Sequence, residues 1–210
     1  MFQNYFDHTY LINLKHRKDR LDRALSECKN FDFEPEIITA VYGKDHLDKF
    51  INPHGIPEYA WNSGSMGLSM TTAKIIQDAK LKGYKSILIL EDDVEFNNGL
   101  SKRLADNFHT IPSDWEMILM GGAHLEHLMK INFHIYRVQK SSCLHCYAIK
   151  ETCYDFYLEQ LEKMDMPIDH ITMDIIQPRG KTYCFFPNMA YQRPSYSDIA
   201  ERKVDYSFLR

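Results

Sequence analysis

The chain has 210 residues, 44% hydrophobic and 26% charged, with a formal net charge of −4. That composition is ordinary for a globular protein and long enough for one well-packed domain over residues 1–210. The acidic balance excludes a general nucleic-acid binder, and no apolar run approaches the roughly 20 residues that span a bilayer, so no membrane span is expected; with no signal peptide, the expected compartment is cytoplasmic.

In chain order, Thr9–Leu14 reads as a first strand. Leu21, Leu25 and Cys28 then recur at helical spacing within Lys18–Asn30. The first turn of that helix carries a basic patch, Lys15 to Arg20 and Arg23, which suits either a phosphate or the solvated side of a helix. Glu36–Thr39 reads as a second strand, ending at Ala40-Val41-Tyr42-Gly43. Residues 44–64 contain Pro53, Gly55 and Pro57 without a period, which predicts a long loop or a lid. From Ser65, Met66, Met70, Ala73 and Ile76 mark a helix stopped by Gly83. The next segment, Ser86-Ile87-Leu88-Ile89-Leu90, reads as a strand buried on both faces, followed by Glu91, Asp92 and Asp93.

Those acids stand at the carboxyl end of a strand, where open α/β sheets bind ligands. Three clustered carboxylates repel one another, so a positive group is expected beside them. A hard divalent cation satisfies that need, and a solvated strand end or a helix cap is the plain alternative. In the second half, Glu116–Met120, Ile131–Val138, Leu144–Ile149 and Thr182–Phe186 read as strands. Tyr154, Tyr157, Leu158 and Leu161 line a helix, Ile168 opens a short helical stretch, and residues 187–199 read as an irregular tail. The βαβ rhythm predicts an α/β fold: a mostly parallel twisted sheet with helices on both faces.

Five cysteines make no disulfide framework. Cys143-Leu144-His145-Cys146 has metal-like spacing but no second pair, so buried thiols are expected, with His145 a satisfied polar residue. His124 and His127 follow a strand end and suit a solvated loop or an acceptor-facing position.

Several segments, in order, resemble glycosyltransferase family 25, which includes lipooligosaccharide and collagen galactosyltransferases. Tyr10 to Arg20 is similar to the family's opening strand and Asn-Leu-x-x-Arg-x-x-Arg turn. Ala40 to Asp45 is similar to its Ala-x-x-Gly-x-x step, and Gly64 to Thr71 to its Gly-x-x-Gly-x-x-x-Ser helix start. Thr71 and Thr72 stand where the family has Ser-His. Leu90-Glu91-Asp92-Asp93 matches Leu-Glu-Asp-Asp, Pro167-Ile168-Asp169 resembles Pro-Val-Asp, and Gln192 to Ile199 resembles the closing Gln-x-x-x-x-Ser-Asp-Ile.

The resemblance implies a GT-A-like fold, with a nucleotide-sugar half at about 1–100 and an acceptor half at about 101–210. It implies inverting transfer of galactose or glucose from a UDP-sugar to a hydroxyl of a glycan or a hydroxylysine-bearing protein, with Mn²⁺ or Mg²⁺ bridging the diphosphate. By analogy Asp93 is a metal ligand, with Asp198 a second candidate for metal or phosphate. Glu91 or Asp92 touches ribose or metal-bound water, and Arg17 or Arg20 a phosphate. Asn13, Ala40 and Gly43 border the uridine. Gly64 and Gly67 suit either close approach to sugar or phosphate, or helix capping and packing. Asp169 is the expected general base, with an N-cap as its plain alternative and Asp174 as the other candidate base. The residues also leave open a metal-dependent phosphohydrolase and a glycan- or nucleotide-binding module without turnover, although no phosphate loop of the GxxxxGK[ST] kind is present.

Overall fold

In the computed structural model, which describes residues 1–210, β1 (His8–Asn13), α1 (Lys18–Asn30) and β2 (Glu36–Thr39) form the first βαβ unit. After 3₁₀ turns at Gly43–Lys49 come α2 (Ser63–Lys82), β3 (Ser86–Glu91), β4 (Val94–Phe96), α3 (Leu100–Asn107) and β5 (Met117–Leu119). Four short strands follow: β6 (Ala123–His124), β7 (Met129–Lys130), β8 (Ile135–Arg137) and β9 (Ser141–Ser142). The chain then returns through β10 (Cys146–Lys150), α4 (Glu151–Glu162), α5 (Ile168–Ile171) and β11 (Thr182–Phe185). Three further short strands complete it: β12 (Ala190–Gln192), β13 (Ser195–Ser197) and β14 (Arg202–Val204).

The main sheet has the order β2-β1-β3-β10-β5-β11-β8-β7. Strands β1, β2 and β3 pair in parallel, as do β5 and β11, while β10 and β8 run against their neighbours. Six of the eight strands therefore share one direction, giving the mostly parallel sheet expected from sequence. Strand β10 sits between β3 and β5, so residues on both sides of position 100 build one continuous sheet.

Helices cover both faces, and the central strand shows why its apolar run is unbroken. Leu88 and Leu90 join α1 and α3 in one core, whereas Ile87 and Ile89 join α2, α4 and α5 in the other. Successive strand residues point to opposite faces, so a strand buried on both sides cannot alternate in polarity. Helix α2 starts where Asn62 accepts from the Gly64 and Ser65 amides and Ser65 Oγ accepts from the Asn62 amide in return. It ends at Gly83 in the left-handed conformation, which a glycine adopts without steric cost. No helix is long and apolar enough to cross a membrane.

Two local expectations are corrected. The segment Ile131–Val138 is not one strand. Only Ile135–Arg137 pairs with β11, because residues 131–134 turn the β7–β8 hairpin, where the Asn132 side chain accepts from the amides of His134 and Ile135. The tail at 187–199 is not irregular: β12 pairs with β4 and β13 with β14. The 44–64 excursion is anchored by Trp61, fully buried, stacked on Phe50 and donating from Nε1 to the Ile51 carbonyl at 2.6 Å.

Gly43 and Gly67 lock β2's exit onto α2. A Cβ on Gly43 would stand 1.7 Å from the Ser63 carbonyl oxygen, and one on Gly67 2.5 Å from the Val41 carbonyl oxygen. Both clashes are with backbone, which a side-chain shift does not relieve. Gly43→Ala is expected to destabilise the fold by about 1–3 kcal/mol, the usual cost of overpacking. Urea denaturation checks this, and Gly55→Ser, with open space around it but a left-handed φ of +61°, shows the cost of backbone strain without a steric clash.

Candidate functional site

Strand β1 stops at Asn13 and four residues separate it from α1, so the loop is short and the first turn of α1 lies over the carboxyl ends of β1 and β3. Asn13 ties this corner together, donating from Nδ2 to the Arg17 carbonyl at 3.1 Å and to Asp92 Oδ2 at 2.6 Å. Arg17 and Arg20 are three apart, hence on one helix face. Arg20 turns toward the acids that follow β3, and Arg17 toward Asp198 and Asp19.

The positive group demanded by Glu91, Asp92 and Asp93 is Arg20. Its Nη2 lies 2.5 Å from Asp92 Oδ1 and 2.8 Å from Asp93 Oδ2. Both aspartates are buried, 7% and 5% exposed, so this pairing offsets a desolvation that would otherwise be prohibitive. Compensation is incomplete. Burial is the largest cause that raises Asp92 to about 6, opposed by Arg20 and the Asn13 hydrogen bond. Burial, then Asp93 and Asp169, pushes the Glu91 carboxyl well above its ordinary value. Asp93 Oδ1 and Arg20 Nε are buried without a hydrogen-bond partner. The Asp93 carbonyl accepts from the Arg193 amide at 2.7 Å, which carries the end of β12 across the acidic turn.

From there the C-terminal segment forms one wall of a cleft of about 1030 Å³. Asp198 accepts from Arg17 Nη1 and lies 3.6 Å from Arg20 Nη1. Asn13, Arg20, Ala40, Gly43, Gly64, Glu91, Asp92, Asp93, Asp169 and Asp198 all line this space, from segments spread over most of the chain. Arg17 stands just behind, bound to Asp198 and Asp19. Gly67 is not a lining residue; it is the packing glycine described above. Asp174 is also outside, pairing with Lys140 at 3.2 Å. Asp169 does not cap α5, whose N-cap position is Pro167. Its Oδ1 instead accepts from the Cys143 amide at 2.9 Å, holding Cys143 at φ +68°. Burial raises the Asp169 carboxyl, against hydrogen bonds from the Cys143 and Leu144 backbone.

All five cysteines are free. His145 is buried, with Nδ1 2.9 Å from the Cys143 carbonyl oxygen, and His124 contacts Asn188 outside the cleft. Among the other lining residues, Gln192 and Tyr42 fall within family-like segments without an expected role, and Tyr206, Leu47 and Tyr59 had no sequence signal as site residues. Gln192 is a buried amide with an unpartnered Oε1, Tyr206 is held in the tail beyond β14, and Tyr42, Leu47 and Tyr59 form an apolar rim.

Arg20→Ala would leave two buried carboxylates without their cation. Loss of one partner of a buried pair costs about 3–5 kcal/mol at neutral pH. Asp92 already has a folded pKa raised to about 6, above its unfolded value, so ionisation penalises the folded state as pH rises and protonation relieves it as pH falls. The stability deficit of Arg20→Ala relative to wild type should therefore shrink as pH is lowered toward about 4, read by denaturation midpoints across that range.

Comparison with known proteins bears on the fold and the family. A glycosyltransferase involved in the glycosylation of the major capsid of PBCV-1 superposes with a TM-score of 0.52 at 10% identity, covering 93% of this chain and 95% of that one; the likeness shows a shared GT-A-like α/β fold. Procollagen galactosyltransferase 2 of Homo sapiens is 30% identical over 134 residues, 58% of this chain and 21% of that protein. Inactive glycosyltransferase 25 family member 3 of Homo sapiens is 25% identical over 129 residues, 55% of this chain and 22% of that protein. The aligned part thus spans about a fifth of each relative's length. Residues 6–172 match the family model of Glycosyltransferase family 25 (LPS biosynthesis protein), and the chain belongs to that family.

Proposed function

We propose that the chain transfers galactose or glucose from a UDP-sugar to a hydroxyl of a glycan or hydroxylysine-bearing acceptor, with inversion. The observation that carries this reading is the convergence of Arg20, Asp92, Asp93 and Asp169 on one cleft at the carboxyl ends of β1 and β3. A nucleoside diphosphate brings two phosphates that need cations, and a displacement needs a base on the acceptor side.

The residues fit a hard divalent ion, Mn²⁺ or Mg²⁺. Asp93 Oδ1 is a buried acceptor with nothing to accept from, and such ions are commonly held by one or two carboxylates plus substrate phosphates. Asp93 would hold the ion, with Asp198 the second candidate. When bound, the ion would neutralise charge building on the departing diphosphate. Arg17 and Arg20 would exchange part of their present carboxylate contacts for phosphate oxygens. Glu91 or Asp92 would contact the ribose or a metal-bound water. Asn13, Ala40 and Gly43 would border the uracil, and Gly64 lies where the backbone can approach the donor.

In a single displacement, the acceptor oxygen attacks the anomeric carbon as the bond from that carbon to the diphosphate oxygen breaks. Asp169 would take the acceptor proton. Its raised pKa brings its basicity nearer neutral pH, where a general base works best. Its amide contacts from residues 143 and 144 fix the carboxyl's direction. Walls at 44–64 and 195–206 would exclude water, which competes for the sugar.

A second reading, binding without turnover, has one observation in its favour: Arg17 and Arg20 are already satisfied by Asp198, Asp92 and Asp93. Release of UDP separates the two. With Mn²⁺ and acceptor, wild type should release UDP from UDP-galactose or UDP-glucose; a binding module retains affinity and releases none. Asp93→Asn should weaken Mn²⁺-dependent UDP binding and turnover together. Asp169→Asn should keep UDP binding while kcat falls about 10²-fold or more; unchanged kcat removes Asp169 as the base. Hydrogen exchange at 44–64 should slow when UDP and Mn²⁺ are added, and identical exchange would remove the lid.

A further inference from the structure

The β7–β8 hairpin lies across the sheet from β1 and β2 and has no part in the cleft. Its composition differs from the rest of the chain. Leu125, Met129, Ile131 and Phe133 are all exposed, Phe133 to 76%, and the exposed Phe186 joins them. The Phe186 amide donates to the His134 carbonyl at 2.9 Å, so the phenylalanine sits beside the hairpin turn rather than elsewhere on the surface. A cluster of large exposed side chains on a turn is costly to solvate and marks an interaction site.

The charge around this tip is positive, although the chain as a whole is at −4. Residues 123–140 contain Lys130, Arg137 and Lys140 against a single acid, Glu126. Lys140 is paired with Asp174. Lys130 and Arg137 have no carboxylate within 4 Å, and the Lys130 ammonium lies 5.8 Å from the centre of the Phe133 ring. An aromatic and aliphatic tip flanked by unpaired cations is the pattern that enters the headgroup region of an anionic bilayer.

Strand direction adds a geometric reason. β7 runs the same way as β1 and β3, so the turn at 131–134 lies at the sheet edge that also carries Asn13 and Glu91. Phe186 follows β11 at that same edge. A surface engaged by the tip therefore faces the edge on which the cleft opens.

We propose that the β7–β8 hairpin, with Phe133, Ile131 and Phe186 as its apolar contacts and Lys130 and Arg137 as its cations, docks the protein on the surface of an anionic phospholipid membrane. The docking is independent of the transfer reaction, and its test reads binding alone. The full chain is sedimented with vesicles of phosphatidylcholine, and with vesicles in which part of that lipid is replaced by phosphatidylglycerol. Wild type should bind the anionic vesicles, and salt should weaken the binding. Phe133→Ser should lower the partition coefficient about tenfold, the scale of losing one buried phenylalanine. Lys130→Glu with Arg137→Glu should abolish the preference for anionic lipid. Leu81→Ser, which removes another exposed apolar side chain on α2, should bind as wild type, and matched melting curves show that each variant is folded. Equal retention on both kinds of vesicle, retention unchanged by Phe133→Ser, or an equal loss in Leu81→Ser would overturn the proposal. So would a wild-type chain that ignores vesicles and doubles its mass in solution through the hairpin, with Phe133→Ser restoring the monomer.

Discussion

The contact of Arg20 with Asp92 and Asp93 governs the arrangement of the rest of this structure. Two carboxylates and a third, Glu91, are carried into a poorly solvated space by a strand whose apolar residues fill two cores at once. Without a cation the cost of that placement would fall on the central strand itself. The guanidinium is supplied by the first turn of α1, whose approach is set by the short loop after β1 and by the two hydrogen bonds of Asn13. Sheet order, loop length and charge pairing therefore depend on one another here.

The same contact frames the proposed chemistry. A fully satisfied ion-pair cluster would hold nothing else, but this one retains a buried carboxylate oxygen and a buried guanidinium nitrogen without partners, beside a glutamate whose carboxyl is pushed up by burial. Carboxylates outnumber arginines in the cleft, so a diphosphate would enter it with a divalent ion that offsets part of its own charge. Asp198 extends the cluster into the C-terminal segment, which reaches the cleft only because β12 pairs with β4 and the Arg193 amide is bound by the Asp93 carbonyl. Residues 196–201 and Tyr206 are thus part of the cleft wall.

Much of the frame was legible in the sequence for reasons that are local. Ile87 to Leu90 signals a doubly buried strand, Gly83 a helix stop, and the ordered motifs from Asn13 to Asp198 a family whose fold follows. The demand for a positive charge beside the acids could also be read, but not its identity: Arg20 lies more than seventy positions away, and only the first turn of α1 shows that it is the group that answers. The reversed strands β8 and β10 were hidden because a buried strand reads the same in either direction. The tail strands are three residues each, too short for alternation to register. Gly43 and Gly67 could be read as close-approach residues, yet what they approach is each other's backbone, a long-range fact. Tyr206 carries no local signal that distinguishes a cleft wall from a solvated tail.

The central claim is that the Arg20–Asp92–Asp93 cluster reorganises around a metal-bound nucleoside diphosphate. A crystal structure with UDP and Mn²⁺, recorded for the anomalous signal of manganese, tests it most directly. The account predicts a manganese peak within coordination distance of Asp93 Oδ1 and of the diphosphate, with Arg17 or Arg20 turned from a carboxylate to a phosphate oxygen. UDP bound elsewhere on the chain, or bound in the cleft with no manganese beside Asp93 and every arginine contact unchanged, would contradict it.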